Sequence, residues 1–192
     1  MLFWLCCFVI LGETDVFDEA MGLLYSGKPT DARSLLEEDL GRTGSEKTLF
    51  GLAWLDFSTR DYERAEITLQ FLLDRNPRPM LAGACLNTRG LIAARRGNYS
   101  IAEEAFFQAL RIYKDKGSEE NVVRVQINLA ELCLRQDKIQ EADRYLMASF
   151  RLNTDDGKHK LNPGYLYPLV RDDRPPPLSR DAMDRASGLM HG

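Results

Sequence analysis

The chain has 192 residues, of which 44% are hydrophobic and 28% charged, as in a soluble folded protein of one or two domains. Its 25 basic and 29 acidic residues give a net charge of −4, so the charge balance gives no support for a nucleic-acid partner. Two histidines and four cysteines are too few for a metal cage or a disulfide scaffold, and we expect no metal and no cofactor.

Residues 2–11 form an unbroken apolar run, which Gly12 and the acidic Glu13 follow. Crossing a bilayer takes roughly 17–25 apolar residues, whereas the apolar core of a secretory signal takes about 7–15. The run therefore favours a signal or anchor remnant, although nothing basic precedes it. Two other interpretations of residues 1–12 stay open: a helix packed on the folded domain, and an anchor on a membrane surface.

Small residues twelve positions apart recur along the next 130 residues or so. The pairs are Ala20 and Ala32, Ala53 and Ala65, Gly90 and Ala102, and Ala130 and Ala142. Four residues after each pair comes a large apolar residue: Leu36, Leu69, Phe106 and Leu146. Two helices joined by a tight turn lie close together only when small residues occupy their crossing and larger ones fill the groove beside it. The spacing therefore predicts four helix–turn–helix units.

Turn signals separate the two helices of each unit. They are Gly27-Lys28-Pro29, Arg60-Asp61-Tyr62, Gly97-Asn98-Tyr99 and Asp137-Lys138-Ile139. Glycine commonly ends a helix, and proline fits the first turn of the helix that follows. Aspartate or asparagine caps the start of a helix, and Ser45 and Ser118 are expected to do the same for the first helices of the second and fourth units. We predict helices at 14–26, 30–41, 46–59, 62–75, 81–96, 99–115, 119–136 and 139–153, with those of the third unit about a turn longer, and no strand.

The four units share a pattern of side chains. The third has Leu86, Gly90, Gly97, Tyr99, Ala102, Phe106 and Ala109; the second has Leu49, Leu52, Ala53, Tyr62, Ala65, Leu69 and Pro77; the fourth has Leu129, Ala130, Ala142, Leu146 and Ser149. The first departs at Glu19 and Asp39. Residues 13–153 thus resemble the tetratricopeptide repeat (TPR) family. The resemblance implies an all-α, right-handed α-solenoid of about four repeats, at 13–44, 45–79, 80–117 and 118–153.

The resemblance also implies where a partner would bind. The first helix of each repeat lines the concave face of such an array, where the family holds peptides or helices of other proteins. In this chain the inner positions are Phe17, Met21, Phe50, Trp54, Phe57, Asn87, Leu91, Arg95, Arg124, Glu131 and Arg135. We expect the aromatic residues at the N-terminal end of the concave face to anchor an apolar segment of the partner. The polar residues at the C-terminal end are expected to hydrogen-bond the partner's backbone or a carboxylate. Alternatively, the chain's own ends cover these aromatic residues.

Residues 154–192 are rich in proline and glycine and form an irregular tail. The apolar stretch 161–170 is expected to dock on the array, because the last helix of a solenoid needs a cover. From Arg171 onward we expect a mobile segment.

No arrangement of residues indicates catalysis. Both histidines, His159 and His191, lie in the tail without a positioned partner. Cys85 and Cys133 are interpreted as buried thiols on first helices, and residues 37–39 and 103–104 as exposed acidic helix faces. We therefore expect a non-catalytic scaffold for a partner protein or peptide. It is exported or attached to a membrane through residues 1–12, or alternatively is a cytoplasmic adaptor or chaperone for apolar segments. Homo-oligomerisation stays open.

Overall fold

The structure, a computed structural model, describes residues 15–154 and their side chains as far as residue 150. These residues form eight helices and no strand, which confirms the predicted all-α class. The helices are α1 (Val16–Tyr25), α2 (Pro29–Thr43), α3 (Glu46–Ser58), α4 (Tyr62–Asp74), α5 (Pro79–Arg95), α6 (Tyr99–Asp115), α7 (Glu119–Leu134) and α8 (Ile139–Thr154). The predictions for residues 1–12 and 161–170, and both histidines, lie outside the described residues.

Each predicted helix is present. Both helices of the third unit have 17 residues against 13 in α3 and α4, which confirms the predicted extra turn. Ser45 and Asp61 cap α3 and α4 by accepting hydrogen bonds from the amides of Thr48 and Arg64. Ser118 stands at the start of α7 but makes no side-chain cap bond; its hydroxyl instead accepts from Asn121 Nδ2 at 2.8 Å.

The turns inside the four pairs share one backbone conformation. A residue in the left-handed region stands in each: Gly27, Arg60, Gly97 and Asp137, with φ of 79°, 67°, 78° and 57°. The amide of the following residue then donates to the carbonyl five residues earlier, at 2.8–2.9 Å: Lys28 to Leu23, Asp61 to Asp56, Asn98 to Ala93 and Lys138 to Cys133. This is the Schellman arrangement, which satisfies carbonyls at a helix end.

The chain divides into two compact units, Met1–Ile112 and Tyr113–Gly192. In the first unit each of the helices α1 to α4 contacts the next one in the chain. The odd-numbered helices also meet, α1 with α3 and α3 with α5. In the second unit α7 packs along α8.

Small residues occupy the helix crossings, as predicted. Ala20, Ala32, Ala53, Ala65, Ala102 and Ala142 have no exposed surface, and Ala130 has 1%. A Cβ on Gly90 would lie 2.5 Å from Cε1 of Phe106, so only glycine admits that ring. The prediction is wrong for Leu146, which is 42% exposed. α8 meets α7 through Ala142 instead, and no further helix among the described residues covers Leu146.

Two buried carboxylates connect helices of the first unit. Asp39, interpreted from the sequence as part of an exposed acidic face, is only 8% exposed, which corrects that interpretation. It accepts a hydrogen bond from the Thr48 hydroxyl at 2.5 Å and thereby connects α2 to α3. Asp56 on α3 is 1% exposed and pairs with Arg33 of α2, while Arg64 Nε of α4 lies 3.7 Å from it. Burial is tolerated because each carboxylate is hydrogen-bonded or paired.

Candidate functional site

Partly buried aromatic side chains of α1 and α3 lie close together in the first unit, where Phe17 and Trp54 also pack against the hydrophobic core. The rings of Phe17 and Phe50 stack with centroids 6.3 Å apart. Trp54 lies one helical turn beyond Phe50, on the same side of α3. Gly51 allows the approach of α1, because a Cβ there would lie 3.1 Å from Cδ2 of Phe17. We call Phe17, Phe50 and Trp54 the aromatic surface.

Exposure separates the predicted site residues of the first unit into two groups. Met21, Phe57, Asn87 and Leu91 are only 6–8% exposed and leave little surface for a partner. Phe17, Phe50, Trp54 and Arg95 are half-buried. The ring of Phe57 contacts that of Trp54, with centroids 5.2 Å apart. The part of the predicted site that a partner could touch is therefore smaller than the sequence suggested.

A lysine stands at the edge of the aromatic surface. Lys47 Nζ lies 5.0 Å from the centroid of the Phe17 ring and pairs with Asp15, the residue that caps α1. The hydrogen bond from Lys47 lowers the pKa of the Asp15 carboxyl below its ordinary value. Sequence reasoning missed Lys47, although its position three residues before Phe50 places both on one side of a helix. The surface thus combines apolar area with a cation whose charge Asp15 partly compensates.

The charged candidates of the second unit lie on α7 and at its C-terminal cap, Arg135. Arg124 pairs with Glu120 at 3.1 Å, and Arg135 pairs with Glu131 at 2.6 Å. Each pair joins residues four apart in the sequence. The side chains of Arg124, Glu131 and Arg135 are only partly exposed, Oε2 of Glu131 is buried, and the charge of each residue is partly compensated by its partner.

The described residues contain no cluster of metal-ligating side chains. They contain no group of three or more histidine, cysteine, aspartate or glutamate side chains that could hold a metal ion. Cys85 and Cys133 are buried thiols, as predicted. Burial raises the pKa of the Cys85 thiol to about 12, which keeps it out of the reactive thiolate form at neutral pH. Within residues 15–154, no helix combines the length and apolar character needed to span a bilayer.

No protein-family model matches the chain, and the comparison with curated proteins gives no match.

Proposed function

We propose that the chain is a non-catalytic protein-interaction module, a right-handed TPR-like α-solenoid of about four repeats that binds an apolar peptide or helix of a partner. Three features support the repeat architecture: the shared Schellman turn, the small residues at the crossings, and the contacts among odd-numbered helices. The observation that carries the binding function is the aromatic surface of Phe17, Phe50 and Trp54, which is half-buried and edged by Lys47.

The aromatic surface has the properties of an interface anchor. A few aromatic side chains supply most of the binding energy of many interfaces. Phe17 and Phe50 already stack on each other, so little side-chain entropy remains to be lost on binding. Lys47 favours a partner segment with an acidic residue beside its apolar ones. We therefore expect the bound segment to be apolar and flanked by negative charge.

Two forms of this function differ in cellular location. In the first, residues 1–12 export the protein or attach it to a membrane, where it assists the assembly of other proteins. In the second, it is a cytoplasmic adaptor or chaperone for apolar segments of partner subunits. Intact mass with cell fractionation separates them, since export predicts a mature chain that starts near Glu13.

A selection from a phage-displayed library of random peptides tests the binding function. The wild-type chain should enrich peptides with apolar or aromatic residues next to acidic ones. The double variant Phe50→Ala, Trp54→Ala should bind them about 30- to 800-fold more weakly, because each lost anchor contributes roughly 1–2 kcal/mol. Titration of the enriched peptides by fluorescence anisotropy gives the affinities.

The chain offers a matched control on α4. Ile67 and Phe71 are also four residues apart and are 65% and 50% exposed, but they lie outside the aromatic surface. The double variant Ile67→Ala, Phe71→Ala should keep full affinity. Equal losses in both double variants, or no loss in the first, would contradict the proposed site. Far-UV circular dichroism confirms that each variant retains its helices.

A further inference from the structure

The turn between α5 and α6 contains a short motif that exported proteins use to carry sugars. Asn98-Tyr99-Ser100 fits the acceptor pattern for N-glycosylation, which is asparagine, any residue except proline, and then serine or threonine. The six other asparagines of the sequence lack serine or threonine two positions later. Because so short a motif also arises by chance, the surroundings of Asn98 have to show that this residue suits the role.

Asn98 lies on an open part of the surface. Both Asn98 and Ser100 are exposed. Gly97, the preceding residue, has a φ of 78°, and a Cβ added to it would meet nothing within 4 Å. An N-linked sugar is bulky and hydrophilic, so its acceptor has to stand at the surface with free space beside it. The turn meets both requirements.

The fold uses the backbone of Asn98 and leaves its side chain unused. The amide of Asn98 donates to the carbonyl of Ala93 at 2.9 Å, and its carbonyl accepts from the amide of Ala102 at 3.0 Å. Asp61, at the equivalent position of the turn after α3, accepts from the amide of Arg64 at 3.2 Å through its side chain. The side chain of Asn98 makes no such cap bond within the part of the chain that the structure describes. A sugar on Nδ2 of Asn98 therefore breaks no hydrogen bond of the described fold.

We propose that Asn98 carries an N-linked oligosaccharide in the exported form of the protein. The donor is an oligosaccharide activated as a lipid pyrophosphate. Nδ2 of Asn98 forms a bond to the anomeric carbon of the first sugar, while the bond between that carbon and the pyrophosphate oxygen breaks. The lipid pyrophosphate leaves with the electron pair, and the amide nitrogen loses one proton to a base on the transferring enzyme. The Ser100 hydroxyl is the second group that the motif requires.

The proposal rests on the exported form of the proposed function, because N-linked sugars are transferred to chains that enter the export pathway. It does not rest on the aromatic surface. The phage selection with a chain produced in bacteria, without a sugar, tests peptide binding separately.

Mass spectrometry of the protein purified from its own cells tests the proposal. The protein is treated with peptide:N-glycosidase F, which removes an N-linked sugar and converts the asparagine that carried it to aspartate. We expect the treatment to lower the intact mass and, in heavy-oxygen water, to label residue 98 alone. An unchanged mass, a label at another residue, or an added group on Ser100 would overturn the proposal.

Fractionation of the same cells separates failure of this proposal from failure of export. A chain found in the exported fraction without a sugar would overturn the proposal and leave export standing. A chain found only in the cytoplasm would overturn both the exported form and the glycosylation of Asn98. Neither result changes the outcome of the peptide-binding test.

Variants of the motif test the acceptor residue directly. Asn98→Gln removes the acceptor asparagine and Ser100→Ala removes the hydroxyl, so each should abolish the sugar completely. Ser100→Thr is the matched control, because it keeps the motif, and it should retain the sugar. Both positions are exposed, so the variants should keep the wild-type fold, which far-UV circular dichroism checks. A sugar that persists in Asn98→Gln or Ser100→Ala, or that is lost from Ser100→Thr, would contradict the assignment of Asn98.

Discussion

At the scale of single residues, Gly90 is where the first unit leaves least room for a side chain. An added Cβ would lie 2.5–2.6 Å from Cε1 and Cδ1 of the Phe106 ring, which is only 1% exposed and cannot move aside. Gly41, inside α2, is the opposite case, because a Cβ there meets nothing within 4 Å. Packing therefore requires glycine at position 90, whereas glycine at position 41 affects stability only through its low helix propensity.

We expect Gly90→Ala to lower the free energy of unfolding by about 1–3 kcal/mol, because the methyl group overpacks the crossing of α5 and α6. Gly41→Ala, the matched control, should raise it by up to about 1 kcal/mol through helix propensity. Urea denaturation followed by circular dichroism measures both. Stabilisation by Gly90→Ala would mean that Phe106 does not occupy the position described.

Asp39 makes part of the stability dependent on pH. The hydrogen bond from Thr48, followed by that from Arg42, lowers the pKa of the Asp39 carboxyl below its ordinary value of 3.8. Between the two pKa values the unfolded chain binds the proton more readily than the folded chain. The stabilisation is therefore fully present above pH 3.8 and is lost as the pH falls through the lowered pKa.

We expect Asp39→Asn to be less stable than the wild type at pH 6, with the difference shrinking as the pH falls below 3.8. Urea denaturation at several values between pH 2 and pH 6 gives the difference. Glu38→Gln, at an exposed position beside Asp39 on α2, controls for the loss of one negative charge. A difference between Asp39→Asn and wild type that stays constant over this range would exclude the mechanism.

At the scale of elements, the four Schellman turns have unequal residues at the same backbone position. Gly27 and Gly97 suit the left-handed region, whereas Arg60 and Asp137 adopt it against the preference of a residue with a Cβ. The turns after α3 and α5 are equivalent, so their residues at this position can be changed in opposite directions, Arg60 to glycine and Gly97 to alanine.

Arg60→Gly should raise the free energy of unfolding by about 0.5–1 kcal/mol, since it relieves the left-handed penalty. Gly97→Ala should lower it by about 1 kcal/mol or more, even though nothing lies within 4 Å of the added Cβ. Thermal and urea unfolding measure both changes. Effects of the same sign in the two variants would show that backbone conformation does not govern these turns.

The helices were largely predictable because their signals are local. Small residues twelve apart, turn residues and cap residues all act within one helix pair, and every helix was found within two residues of its predicted ends. Leu146 was mispredicted for a different reason. Its burial depends on what lies beyond α8, and its own helix pair carries no information about that.

At the scale of the whole molecule, the candidate site was predicted only in part. The resemblance to the repeat family implied that Phe50, Trp54 and Phe57 are inner residues of α3, but it could not show that Phe57 would be buried in contact with Trp54. Asp39 was misread as exposed because its partner, Thr48, belongs to the next helix. Burial depends on contacts between helices, and the spacing within one helix does not specify them.

The contacts of the first unit also bear on how the chain folds. The main contacts described among α1 to α5 join helices that are neighbours along the sequence or are separated by one helix. Such local contacts require little loop closure, and chains dominated by them fold rapidly. During synthesis α1 and α2 can pair as soon as both have left the ribosome, and α3 can then add to them. Folding of this unit can therefore proceed in the direction of translation, without waiting for a distant segment of the chain.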